Sequence, residues 1–173
     1  MEINLSDEIL VEIGKITVVF GLIEDSLNEI IGRIITVGGR IRELGTIVTA
    51  ELSFKNKISV LTSLLHLALE KDNEALKQFD RIKPLLFDAE QKRNVVVHSV
   101  WAKDEESPDV HGVLRIKSTA KSRHGLRTDF ISMNLDDLRQ TTDRLGEAYG
   151  QLCVFELQFH SGSSKDHSDG AAA

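Results

Sequence analysis

The chain predicts a mainly all-α fold, an up-and-down four-helix bundle with a small β-hairpin inserted before the last helix. Three observations carry this expectation. Long stretches repeat apolar residues at intervals of three and four, the pattern breaks after Trp101, and it resumes behind a strong helix start at Asn134. With no internal repeat and no long linker, the 173 residues suit one domain over about 1–160, with the hairpin at about 102–133 and a disordered tail at 161–173.

In the first helix, capped by Ser6 or Asp7, apolar residues fall at Ile9, Ile13, Ile16, Phe20, Ile23, Leu27, Ile30 and Ile34. A second set, Leu10, Val18, Val19, Leu22 and Ile31, widens the apolar surface, and Gly14, Gly21 and Gly32 could admit a neighbouring backbone. This helix therefore expects more than one partner. Gly38 and Gly39 end it, and a connector runs to about Ala50. The second helix spans about 52–70, with Phe54, Ile58, Leu61, Leu65 and Ala68 on one side. Asp72 caps a third, from Asn73 to about Val100, which Pro84 should kink or divide. Ser107 and Pro108 mark a turn, and residues 110–118 and 126–133 form the hairpin, with Leu114, Ile116, Phe130 or Ile131, and Met133 as its apolar side. Asn134, Asp136 and Asp137 start a last amphipathic helix through Leu138, Leu145, Leu152, Phe155 and Phe159, in which Gly146 and Gly150 suggest close packing.

Composition narrows the class. Hydrophobic residues make up 41% and charged residues 28%, which is globular, and a net charge of −6 argues against non-specific coating of nucleic acid. The N-terminus lacks a basic signal-peptide start, and the most apolar run, residues 13–23, is too short to span a bilayer. The expectation is a soluble, cytoplasmic protein without a membrane partner. The single cysteine, Cys153, reads as a buried structural thiol, and the six histidines show no zinc-type spacing.

The organising stretch is residues 90–101, which places Arg93, Asn94 and His98 inside an apolar, helix-like segment. Arg93 falls in one heptad row with Phe79, Leu86 and Val100, while Asn94 and His98 share a face with Phe87, Gln91 and Trp101. Arg93 and His98 lie roughly 140° apart on an ideal helix at about 100° per residue. They converge only through the long arginine arm or through a second copy of the helix. The plain alternative is a buried pair, with Arg93 satisfied by Glu24 or by backbone carbonyls.

The sequence Arg93-Asn94-Val95-Val96-Val97-His98 resembles the ribonuclease signature of the HEPN family (higher eukaryotes and prokaryotes nucleotide-binding domain). That signature is an arginine, a polar residue, three further positions and a histidine near the end of a late core helix. The resemblance implies a homodimeric, metal-independent endoribonuclease with no cofactor, of the kind found as toxins in toxin–antitoxin and defence systems, with RNA as substrate and an antitoxin as protein partner. His98 would transfer protons, Arg93 would hold the phosphate, and Asn94 would orient the histidine or bind a phosphate oxygen. The family's other branch implies a non-catalytic interaction module, dimerising through its first and third helices. Some family toxins carry a modifiable tyrosine two residues past the histidine. Val100 occupies that position here, and the one tyrosine is Tyr149.

A second feature accompanies the motif. Arg115, Lys117, Lys121, Arg123 and Arg127, with His124 among them and no acid between, form a basic hairpin suited to gripping RNA phosphates. The bland account is a solvated hairpin whose charges keep its edge strand from pairing.

Overall fold

The computed structural model describes residues 5–36, 41–69, 73–107, 112–121 and 125–163. They form five helices and three strands: α1 (Asp7–Ile35), α2 (Ile41–Thr49), α3 (Phe54–Ala68), α4 (Glu74–Val97), β1 (Val100–Lys103), β2 (Val113–Lys121), β3 (Gly125–Met133) and α5 (Leu135–Ser163). The predominantly helical class holds. Helix α2 and strand β1 lie outside the expected plan, and the expected hairpin is two-thirds of an antiparallel sheet of order β1-β2-β3. No described helix is long and apolar enough to cross a membrane. Most of the expected tail lies outside the described residues, although α5 reaches Ser163.

The chain divides into two compact units, Met1–Phe20 with Ala89–Leu145, and Gly21–Asp88 with Gly146–Ala173. Helices α1, α4 and α5 contribute a segment to each.

In the first unit, Ser6 caps α1, its hydroxyl accepting from the Ile9 amide at 3.4 Å. Asn134 and Asp137 form a reciprocal box at the start of α5: the Asn134 amide donates to the Asp137 carboxylate at 2.8 Å, and the Asp137 amide donates to the Asn134 side chain at 3.0 Å. Ile9, Ile16, Phe20, Val96, Val113, Leu138 and Leu145 are buried. Glu12 is buried with them. It accepts from Lys15 Nζ at 2.7 Å and from the Thr142 hydroxyl at 2.8 Å, tying α1 to α5.

In the second unit, Ser53 caps α3 and Asn73 caps α4, its side chain accepting from the Ala75 amide at 2.8 Å. The cap expected at Asp72 lies outside the described residues. Helix α4 runs through Pro84 undivided. Phe54, Ile58, Leu61, Leu65, Phe79, Ile82, Leu86, Leu152 and Phe155 make the core, with the Phe79 and Phe155 rings 5.3 Å apart. Lys57 is buried to its charged end and donates to Glu24 at 3.2 Å. Cys153 is half-buried rather than fully enclosed, and its hydrogen bond with Tyr149 raises the phenol's pKa.

Helix α2 replaces the expected connector, and among its residues of described burial Gly45 and Thr49 face inward. A Cβ at Gly45 would stand 2.2 Å from the Asn28 carbonyl oxygen and 3.1 Å from Gly32 Cα. The bare backbone lets the two helices meet. The approach places Thr49 Oγ1 2.7 Å from both the Asn28 side-chain oxygen and the Gly45 carbonyl. Leu44, Ile47 and Val48 are left exposed. Gly32 thus meets a backbone as expected. Gly14, Gly21, Gly146 and Gly150 do not, since an added Cβ at each meets nothing within 4 Å.

These contacts set opposite expectations for two glycines. Gly45→Ala should destabilise the fold by about 2 kcal/mol or more, because the obstructing atoms are backbone. Gly14→Ala, in open helix, should stabilise it by roughly 0.5–1 kcal/mol, and thermal melts of both variants make the comparison. For Glu12, the hydrogen bond from Lys15 outweighs burial and lowers the carboxyl's pKa from 4.5, with help from Thr142 and from the charges of Lys15 and Arg139. A lowered folded-state pKa stabilises above the ordinary carboxylate range, and that contribution is lost as pH falls through the folded value. Glu12→Gln should cost about 1–2 kcal/mol near neutrality, with the gap to wild type closing in denaturant titrations as pH falls through the lowered folded-state value.

Candidate functional site

The motif sits where α4 hands over to β1. Valines at 95–97 favour extended structure, and after Val97 the chain turns through His98 and Ser99 into β1. The helix therefore stops short of the expected end at Val100, and Trp101 belongs to the sheet rather than to the helical face of Asn94 and His98. Three bonds satisfy the terminal carbonyls. The His98 amide donates to Asn94 O at 3.2 Å, the Ser99 hydroxyl to Val95 O at 2.6 Å, and the Trp101 indole N–H to Val96 O at 2.9 Å.

Arg93 is half-buried. Its guanidinium carbon lies 5.1 Å from the centroid of the Phe20 ring, and Nη1 donates to Asn94 Oδ1 at 3.0 Å. Its Nε is buried without a hydrogen-bond partner. Glu24, the carboxylate considered for Arg93, accepts from Lys57. Asn94 thus holds the arginine rather than the histidine. The His98 side chain is exposed and makes no hydrogen bond among the described residues.

The sheet register distributes the basic residues unevenly. Arg115 stands opposite Trp101 on β1 and Ile131 on β3, and Lys117 opposite Asp129. Cross-strand partners share a face, so Val113, Arg115 and Lys117 lie on the same side as Trp101, Lys103, Arg127, Asp129 and Ile131. This side faces inward at its Val113 end. Arg115 is only 7% exposed, with an unpartnered Nε, so it is not a surface phosphate contact. Lys117 is half-buried and Lys103 exposed. Arg127 is exposed but donates to Asp129 at 2.8 Å. Lys121 belongs to β2, while Arg123 lies outside the described residues. The stretch without acids is thus tempered by Asp129, which the register brings beside Lys117 and Arg127.

The opposite side carries Val100, Ile116 and Phe130 in one row and Leu126 in another. Val100 is 66% exposed, Phe130 63% and Leu126 75%. The sheet thus buries one charged side chain, Arg115, and leaves these three apolar side chains outward.

The sequence sets Asn94 on a face with His98, whereas its side chain accepts from Arg93, and the residues that support the arginine left no mark in the spacing. Phe20 read only as one residue of the α1 core stripe. The five-residue step from Val96 to Trp101 is not a helical spacing, so no periodic signal marked the indole as a cap. Trp101→Phe keeps the ring and removes the donor. It should cost about 1 kcal/mol, lower the thermal midpoint by about 2–4 °C, and speed amide exchange at His98 and Ser99.

No protein-family model matches the chain, and no curated protein or solved structure does.

Proposed function

We propose that the chain is a homodimeric, HEPN-like endoribonuclease, working as the toxin of a toxin–antitoxin or defence system in the cytoplasm and restrained there by an antitoxin protein. The observation that carries this reading is the pairing of a fixed arginine with an open histidine at one helix end. Arg93 is held by Phe20 and Asn94, while His98, four residues beyond Asn94, is exposed.

Cleavage then uses the RNA's own nucleophile. A 2′-hydroxyl oxygen attacks the adjacent phosphorus, its proton passing to His98. The bond to the 5′-oxygen breaks, and that oxygen takes a proton from His98 of a second copy. The products are a 2′,3′-cyclic phosphate and a 5′-hydroxyl, with atoms and charge conserved. Arg93 balances charge on the non-bridging oxygens, and its limited freedom reduces the ordering needed as the transition state forms. Lys117 and Lys103 hold neighbouring phosphates. Arg115 supports the sheet from within, its positive field reaching the helix end through the Trp101 edge of the sheet.

One observation favours the rival reading, a non-catalytic interaction module. The contacts that hold Arg93, a ring face and one amide oxygen, lie within the chain itself and serve a structural residue equally well. Incubation of mixed-sequence single-stranded RNA with wild type and His98→Ala in EDTA separates the two. The ribonuclease reading expects cyclic-phosphate ends and a loss of about 10²–10⁴-fold in the variant at unchanged fold. An inert wild type supports the module, and equal cleavage by both removes His98 from the chemistry.

A further inference from the structure

We infer that β3 is a site at which two copies of this chain join, pairing antiparallel about Thr128 to make one six-stranded sheet. The inference rests on the sheet alone. Five strand spacings of about 4.8 Å then separate the two β1 strands by about 24 Å, so a phosphate held between two His98 side chains needs a different contact between copies.

β3 is an edge strand of nine residues, and the edge away from β2 has no strand partner among the described residues. It holds no proline and no lysine, two common devices that keep an exposed edge from pairing. Leu126 and Phe130 stand exposed on one side and Arg127 on the other. Such a strand offers both an open row of backbone groups and apolar side chains.

The order of side chains selects the partner. When β3 meets a second β3 with Thr128 opposite Thr128, Arg127 faces Asp129 of the second copy, and Asp129 faces its Arg127. On the opposite side, Leu126 faces Phe130 and Phe130 faces Leu126. Both charge pairs are opposite in sign, and both apolar pairs lie on the side that already carries Val100 and Ile116. The apolar row Val100–Ile116–Phe130 then continues onto Leu126 of the second copy.

Other registers lose this match. A shift of one residue sets the apolar side of one copy against the charged side of the other. Centring on Arg127 or on Asp129 brings like charges together. Centring on Phe130 leaves Arg127 opposite Met133 and Asp129 opposite Ile131. The sequence is complementary to itself at Thr128, as a two-fold interface requires. The intrachain bond between Arg127 and Asp129 persists in this arrangement, so four alternating charges close a ring on one side of the joined sheet.

The test uses two single variants of the full chain, Arg127→Asp and Asp129→Arg, followed by sedimentation across micromolar concentrations. Wild type should dimerise. Each variant alone should bind itself at least about tenfold more weakly, because like charges now face each other at both positions. An equimolar mixture should restore association, since the carboxylate introduced in one variant then faces the guanidinium introduced in the other. The intrachain pair is broken in both variants and is not rescued by mixing, so restoration reports only the contact between copies. A monomeric wild type overturns the proposal. So does a dimer indifferent to both substitutions, which places pairing on another face, or a mixture that stays apart. Asp129→Arg also sets a second cation beside Lys117, and circular dichroism checks its fold. Should that variant misfold, amide exchange in wild type decides: amides at 125–131 should be protected at high concentration and lose protection on dilution, whereas concentration-independent exchange overturns the inference.

Discussion

The hydrogen bond from the Trp101 indole to the Val96 carbonyl is the constraint from which the first unit's arrangement follows. A helix must satisfy its last carbonyls, and here no glycine does so. Ser99 and Trp101 supply the donors as the chain leaves the helix. The indole is thereby fixed, β1 starts in one register, and Trp101 falls opposite Arg115. Arg115 is turned in and Phe130 out. The alignment of Val100 with Ile116 and the position of His98 beyond the helix end descend from that junction.

Buried or half-buried charge recurs in both units, and Glu12, Lys57 and Arg93 are each met in a different way. Glu12 gathers donors from Lys15 and Thr142. Lys57 reaches Glu24. Arg93 uses a ring face and an amide oxygen, which interact with a guanidinium at small desolvation cost. These arrangements fix direction more than they add stability, because the gain from a paired charge roughly offsets the cost of removing it from water.

Much of the fold was legible because burial imposes a period. The stripe from Ile9 to Ile30, the α3 residues Phe54, Ile58, Leu61 and Leu65, and the paired cap at Asn134 and Asp137 all stood in the sequence and in the structure alike. Helix α2 was hard to read because the inward positions of described burial are Gly45 and Thr49, which leave no hydrophobic trace, while Leu44, Ile47 and Val48 face out. Strand β1 was hidden inside a helical pattern, since Val96, Val97 and Val100 satisfy either period over so short a span. The motif Arg93-Asn94-His98 was visible as residue types at a spacing. Its support from Phe20 was not, because nothing in a one-dimensional pattern distinguishes a ring that fills a core from one that also carries a cation. The hairpin's basic character was overestimated for a related reason. A window in sequence excludes Asp129, and strand pairing brings it back.

The close meeting of α2 with Asn28 and Gly32 has a consequence for the ways this chain opens. Most helices are held by the apolar area they remove from water, but α2 leaves Leu44, Ile47 and Val48 outside and is seated by a backbone contact and one shared hydroxyl. Those three side chains are already in water, so they add little to the denaturant dependence or heat capacity of the opening in which α2 lifts away. The Gly45 contact and the Thr49 hydroxyl give α2 a seat on α1 that depends on shape.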